Sequence, residues 1–385
     1  MSPHRAQSGD VGLLDLPRVV AIHRDASRRV KLLQKPDLTY LFWEATLRCN
    51  LRCAHCGSSC VGKSPVRELE TAEIKAILDT IAADFDARRI FVSITGGEPL
   101  LRKDLFEVVA HMTRLGMRSC IVTNGTLLGV EQAQKLWDAG MRTICVSVDG
   151  LEADHNAVRG PGSWAKALAG IAAARQVGFR RVEAITCVRP CQLDHLPAIE
   201  KAVRDAGARM WRLITIDKMG RGAEDEALWM GAADLRTLFD FIERRRREIK
   251  ENREKFDLRF SCGGFLGVGR ELRVRPGDGQ CFAGLCVASI LCDGQVSACP
   301  SLPRNLAQGS ARERRFSAIW REEFRPHRDL AWRRTGRCAD CSWFQVCMGG
   351  GLHERLVQPD DFCWLDRQDG FADCHTLTPA AIPTP

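Results

Sequence analysis

Eighteen of the 385 residues are cysteine, and their spacing limits what the chain can be more than any other feature. A disulfide framework explains such a number in small secreted domains that lack a core. Here 45% of residues are hydrophobic and 27% charged, which supports a packed core and excludes global disorder. The start, MSPHRAQSGD, has no apolar export segment, and no apolar run approaches the ~20 residues that cross a bilayer. A cytoplasmic protein with no membrane partner is expected, and closely spaced cysteines in that compartment bind metal. The formal net charge of +8 suits an acidic partner without requiring one, and nothing points to nucleic acid.

The cysteines also divide the chain. Residues 1–37 hold none, only a basic group (Arg24, Arg28, Arg29, Lys31) on a short helix or strand pair. Over 38–225, apolar strands near 40–46, 90–95, 119–123, 143–148, 182–188 and 210–216 alternate with helical patterns near 71–84, 103–115, 130–139, 163–177 and 194–206. Strands separated by helices pair in parallel with right-handed crossovers, and nearly apolar strands imply a sheet covered on both faces. Either a doubly wound sheet or a partial (β/α) barrel satisfies this, with ligands at the carboxyl ends of the strands. Residues 226–260 read as a charged helical linker carrying Arg244–Arg247, a solvated face. A cysteine-rich domain follows over 261–374, and a Pro-rich, disordered tail over 375–385.

Cys49, Cys53 and Cys56 come directly after the first strand, in C-N-L-R-C-A-H-C. Three thiolates on one loop hold three corners of a [4Fe–4S] cube and leave one iron open. A structural zinc is the alternative, with His55 or Cys60 as fourth ligand.

Further segments fall at strand ends. Gly96-Gly97-Glu98-Pro99 follows the second strand, Thr123-Asn124-Gly125 the third, Ser147-Val148-Asp149-Gly150 the fourth, and Arg159 lies in H-N-A-V-R-G. Singly each is an ordinary βα turn. In this order behind Cys-x3-Cys-x2-Cys, the chain resembles the radical SAM superfamily. That resemblance implies an α/β fold, a partial (β/α)6 barrel, with S-adenosylmethionine chelated on the open iron. It implies that Gly96, Gly97, Glu98, Pro99, Thr123, Asn124, Ser147, Asp149 and Arg159 line this cofactor. Reductive cleavage then gives a 5′-deoxyadenosyl radical, with flavodoxin or ferredoxin as reductant.

The run Cys281-x12-Gly294-x4-Cys299, then Cys338-x2-Cys341-x5-Cys347, resembles the SPASM domain, which implies two auxiliary [4Fe–4S] clusters. Cys338, Cys341, Cys347 and Cys363 form one complete set. The other has Cys262, Cys281 and Cys299, because Gly351 stands where the pattern has a cysteine. Cys286, Cys292 or His353 could complete it, or an iron stays open. Cys120, Cys145 and Cys187 read as small core residues, and Cys60 and Cys191 as loop thiols.

Domains of this kind act on ribosomally made peptides, so the resemblance implies a precursor-peptide substrate, crosslinked or oxidised, with a separate leader-binding protein as possible partner. Protein side chains, as in sulfatase maturation, and tetrapyrrole side chains, as in haem d1 synthesis, are the alternatives. Glu44 and Asp217, at the ends of the first and sixth strands, are the candidate bases.

Overall fold

The computed structural model describes residues 16–261, 263–276, 281–357 and 363–364. Cys262, Cys374 and the 375–385 tail lie outside the described residues. In chain order the barrel elements are helix α1 (Leu16–Gln34), β1 (Tyr40–Thr46), α2 (Thr71–Asp84), β2 (Phe91–Gly96), α3 (Leu105–Arg114), β3 (Arg118–Thr123), α4 (Val130–Asp138), β4 (Thr143–Ser147), α5 (Glu152–Arg159), α6 (Ser163–Val177), β5 (Arg181–Val188), α7 (Leu196–Asp205), β6 (Met210–Thr215), α8 (Ala232–Glu251) and β7 (Asp257–Phe260). Then come α9 (Val268–Val274), β8 (Val287–Ile290), β9 (Gln295–Ser297), β10 (Gly309–Ser310) and α10 (Phe316–Glu322).

The ten strands among the described residues form one sheet, ordered β10-β9-β8-β1-β2-β3-β4-β5-β6-β7. From β1 to β7 every pairing is parallel and sequential. A doubly wound sheet reverses direction at a switch point. This one does not, and residues of β1 and β6 border one cavity, so the sheet curls into the expected partial barrel. The helices follow ordinary local rules. In α2 the Glu73 carboxylate caps the Glu70 N–H, and Ile74, Ile77, Leu78 and Ile81 bury one stripe against the sheet. Gly178 ends α6 in the left-handed conformation.

Two expectations need correction. The charged segment after residue 226 is not helical to its end: it breaks after Glu251, and Asp257–Phe260 pairs with β6 as β7. Nor is the sheet apolar on both faces. Its outer face, with Leu41, Trp43, Val92, Ile94, Ile144 and Trp211, packs beneath the helices. Its inner face carries a polar network instead. Cys145 Sγ lies 3.2 Å from Glu183 Oε2, which also takes Arg212 Nη2 at 2.7 Å, and Cys120 Sγ reaches Ser93 Oγ at 3.6 Å. Alternation along the strands puts these residues inward, where Cys120 and Cys145 are buried with Ile185, Phe91, Val122 and Ile214 as the small core residues expected, beside a lumen that is part apolar and part polar.

The C-terminal segment is built onto the barrel. Strand β8 adds in parallel to the otherwise free edge of β1, and β9 and β10 continue antiparallel. Helix α1 lies against this segment: Ile22 and Ala26 pack with Phe265, Trp343 and Val346, and Arg29 donates to the Val346 carbonyl. Among the described residues no helix is long and apolar enough to cross a membrane.

Candidate functional site

The loop bearing Cys49, Cys53 and Cys56 sits at the carboxyl ends of the strands, held from two sides. Cys49 N donates to Val61 O, which folds the loop back on itself. From the other side comes Arg221, after β6. Its Nε donates to Cys53 O (2.8 Å), its Nη1 to Cys60 O (3.1 Å) and its backbone N–H to Cys56 O (3.1 Å). Gly220 allows the approach: a Cβ there would lie 2.4–2.5 Å from the carbonyls of Gly57 and Cys56. Sequence reasoning missed Arg221; its one cue is the G-R-G of a tight turn.

Donors surround the thiols. Leu51 N lies 3.4 Å from Cys49 Sγ, Asn124 Nδ2 4.0 Å from the same sulfur, and Arg159 Nη1 3.9 Å from Cys53 Sγ. Burial raises the Cys49 and Cys53 pKa values, while a hydrogen bond from Cys60 lowers that of Cys56. Arg221 Nη2 and His55 Nδ1 are buried without a hydrogen-bond partner among the described residues. Thiols ringed by N–H dipoles and orphaned donors suit an anionic iron–sulfur cluster with further ligand atoms. His55 Nε2 is turned to Asp149 Oδ2 at 2.9 Å, and its Nδ1 is the atom left without a partner among the described residues.

The glycine turn after β2 locks this loop to the sheet. Gly97 N donates to Thr46 O (2.7 Å) and Glu98 N to Arg48 O (2.9 Å). A Cβ on Gly97 would stand 2.2 Å from Arg48 O, so no side chain fits. Pro99 opens a 3-10 turn that Glu98 caps. The Glu98 carboxylate, fully buried, accepts from Leu100 N, Thr123 Oγ1 (2.7 Å) and Asn124 N (2.8 Å), joining the ends of β2 and β3. Asn124 continues to Asn50 (2.9 Å), a second residue missed from sequence.

Ser147 closes β4, and two residues later Asp149 gathers Arg159, His55 and the Cys187 N–H (2.8 Å). Burial alone would raise the Asp149 pKa. The Arg159 guanidinium and His55 outweigh it and hold the carboxyl well below the usual range. The structure thus brings together the three cysteines, the glycine turn, Thr123, Asn124, Asp149 and Arg159. Glu44 is near them but committed: it is buried, accepts from Cys292 N (3.1 Å) and pairs with Arg304, and burial raises its pKa.

The other cysteines form two groups. Cys341, Cys347 and Cys363 pack on the cluster of Ile22, Phe265 and Trp343. Burial, then the adjacent Cys363 and Cys338 thiolates, pushes Cys347 up to about 12. Cys281 and Cys299 border a lumen cavity of about 550 Å³, together with Gly351, His353, Arg181, Arg212, Arg259 and the aromatic rings of Tyr40, Phe42, Phe91 and Phe260. Burial and Cys281 push Cys299 to about 11. Thiols that raise one another's pKa in this way fit a metal cluster that would neutralise them. Asp217 Oδ2 lies 3.1 Å from His353 Nε2, and although burial lowers the imidazole pKa, Asp217 raises it to about 9. Cys292 packs with Leu47 and Cys60, away from this group, and Cys286 O accepts from Thr39 N and Tyr40 N at the foot of β1.

Comparison with known proteins agrees with this geometry. Residues 43–195 match the radical SAM superfamily model, and 281–342 match an iron–sulfur cluster-binding domain. An AdoMet-dependent heme synthase of Methanosarcina barkeri is 31% identical, the match covering 80% of this chain and 89% of that one. The mycofactocin maturase MftC of Mycolicibacterium smegmatis is 32% identical, covering 84% and 82%. Native anSMEcpe with bound AdoMet and Cp18Cys peptide superposes with a TM-score of 0.67 at 19% identity, covering 89% and 95%. Streptococcus suis SuiB bound to the precursor peptide SuiA gives 0.68 at 15%, covering 94% and 82%.

Proposed function

The chain belongs to the radical SAM superfamily and is an enzyme carrying that family's iron–sulfur-binding C-terminal domain; from that premise we propose that it abstracts hydrogen from a residue of a ribosomally made peptide and yields a crosslinked or oxidised product. The observation that carries the chemistry is the three-cysteine loop, clamped by Arg221 and the glycine turn, with buried donors left over around it. When bound, a [4Fe–4S] cluster with S-adenosylmethionine supplies a 5′-deoxyadenosyl radical. In this reading Cys49, Cys53 and Cys56 hold the cluster. Gly96, Gly97, Glu98, Pro99, Thr123, Asn124, Ser147, Asp149 and Arg159 orient the cofactor, with Arg159 kept charged by Asp149. Cys281 and Cys299, with Cys262, serve one auxiliary cluster, and Cys338, Cys341, Cys347 and Cys363 the other. The division into an N-terminal extension, barrel (38–225), linker and cluster domain (261–374) belongs to the same proposal, as does a cytoplasmic setting with a flavodoxin- or ferredoxin-type reductant.

The maturase relative supports a peptide. A second reading, a tetrapyrrole side chain, is favoured by the heme synthase relative and by the arginine- and aromatic-lined lumen, which suits an apolar substrate bearing carboxylates. The test is anaerobic reconstitution with S-adenosylmethionine and dithionite. Deoxyadenosine must form, and must vanish in Cys49→Ala/Cys53→Ala/Cys56→Ala. An iron porphyrin carrying carboxylate side chains, added to the same protein, discriminates substrates: a Soret shift and a mass change favour the second reading, and neither is expected under the first. Glu44→Gln tests whether Glu44, held by Cys292 N and Arg304, acts as a base: deoxyadenosine persisting while product falls would keep that role, and loss of both would make it a structural residue.

A further inference from the structure

We propose that His353 ligates the auxiliary cluster at Cys281 and Cys299, taking the place of the cysteine that Gly351 lacks; this rests on the reading above that such a cluster is present. A Cβ built on Gly351 would lie 2.7 Å from Glu354 Oε2 and 3.4 Å from His353 Cε1, so these two side chains stand where a cysteine side chain would start. Glu354 is already committed. Its Oε2 accepts from Gly351 N (3.0 Å), its Oε1 from Trp364 Nε1, and it is 2% exposed. The His353 ring instead lines the lumen cavity with both thiols, and the neighbouring Leu352 N points at Cys281 Sγ from 3.5 Å. The backbone therefore delivers residues 351–353 to the same end of the cavity as Cys281.

The rest of the surroundings agree. Cys292 is spent beside Glu44 and Arg304, on the side of the first cysteine loop, which removes it from the alternatives. Asp217 Oδ2 stands 3.1 Å from His353 Nε2, not aligned as a hydrogen bond in this structure but close enough to become the carboxylate partner that ligating histidines have on their second nitrogen, with Nδ1 left for iron. Ligation displaces the proton that Asp217 otherwise favours on the ring. A neutral imidazole in place of a thiolate takes one negative charge from the cluster and raises its reduction potential, as histidine does in Rieske centres. Asp217 is then a positioning residue for this ligand.

The experiment is pulsed EPR on the full chain, reconstituted anaerobically with iron and sulfide and reduced with dithionite without S-adenosylmethionine. Wild type should show an auxiliary-cluster signal strongly coupled to nitrogen, changing isotope when histidine alone is ¹⁵N-labelled and vanishing in His353→Gln. His353→Cys should keep its iron, lose the coupling and shift the reduction equilibrium at least tenfold toward the oxidised cluster, 59 mV for a one-electron couple. A wild-type signal with no histidine nitrogen, a coupling that persists in His353→Gln, or a nitrogen-coupled mononuclear ion on Asp217, His353 and Glu354 overturns the proposal. The labelled wild type decides even if the variants fail to fold. Deoxyadenosine formation by the same wild-type batch is read separately: its absence would remove the proposed function, whereas its presence without nitrogen coupling would remove only the ligand assignment.

Discussion

Arg221 provides the sharpest test of how the first cysteine loop is held. Its guanidinium makes two hydrogen bonds, at 2.8 and 3.1 Å, to the carbonyls of Cys53 and Cys60, and the residue is 7% exposed. Hydrogen bonds from a charged donor contribute about 1.5–3 kcal/mol each. Arg221→Met keeps most of the apolar stem and removes both, so about 3–6 kcal/mol of loop ordering is lost, and two buried carbonyls go unpartnered. At 1.4 kcal/mol per decade, the affinity of the loop for its cluster should fall by about 10² to 10⁴. Arg221→Lys, a point donor on a flexible stem, reaches one carbonyl at a time and should fall between. The assay is the rate at which the reconstituted chain loses iron to a chelator, with thermal unfolding alongside. About four irons per chain, those of the first cluster, should leave faster in Arg221→Met than in wild type. Wild-type iron retention with an unchanged melting temperature would refute the reasoning. A lowered melting temperature with unchanged iron per folded chain would make Arg221 a general stabiliser of the barrel rather than a clamp.

Three further outcomes follow from the same structure. Gly97→Ala places a methyl 2.2 Å from Arg48 O, so the turn must open by more than an overpacked core tolerates for about 1–3 kcal/mol, and deoxyadenosine formation should fall at least tenfold. His155, fully buried with Nδ1 accepting from Asp149 N, is lowered from 6.5 to about 4, chiefly by burial. The unfolded chain takes that proton first, so stability is full above pH 6.5 and is lost as pH falls toward 4, by at most about 3 kcal/mol. Urea midpoints for wild type and His155→Asn should therefore converge or cross between those pH values, and parallel curves would count against it. Ile22→Ala removes a buried side chain from the contact between α1 and the Cys341–Cys347 turn, at about 2–5 kcal/mol, and should speed amide exchange over residues 341–347.

What the sequence made legible was local. Apolar runs mark β1 to β6 to within a residue or two, and cysteine spacing on one loop reports a metal site because its ligands are neighbours in the chain. What escaped was set by partners far away. Four residues, D-L-R-F, make β7 only because β6 offers an unpaired edge, so a charged helical pattern beside them dominates the reading. The polarity of the lumen was written at alternating positions of the strands, yet Glu183 and Arg212 become a pair only when β5 and β6 align Ile185 with Arg212. Glu44 reads from the sequence as a candidate base at the end of β1, but Cys292 N and Arg304, some 250 residues on, close over it. Arg221 is the same case at the first cysteine loop, 161 and 168 positions from the two carbonyls it holds. The ligand-bearing residues of such a site are thus readable one loop at a time, while the residues that aim them are contributed by whichever strand end the closing sheet brings opposite. Gly351 belongs to both classes: the missing cysteine and three candidates to replace it, His353 among them, are visible in the sequence, and only the folded chain sets His353 on the cavity that Cys281 and Cys299 border.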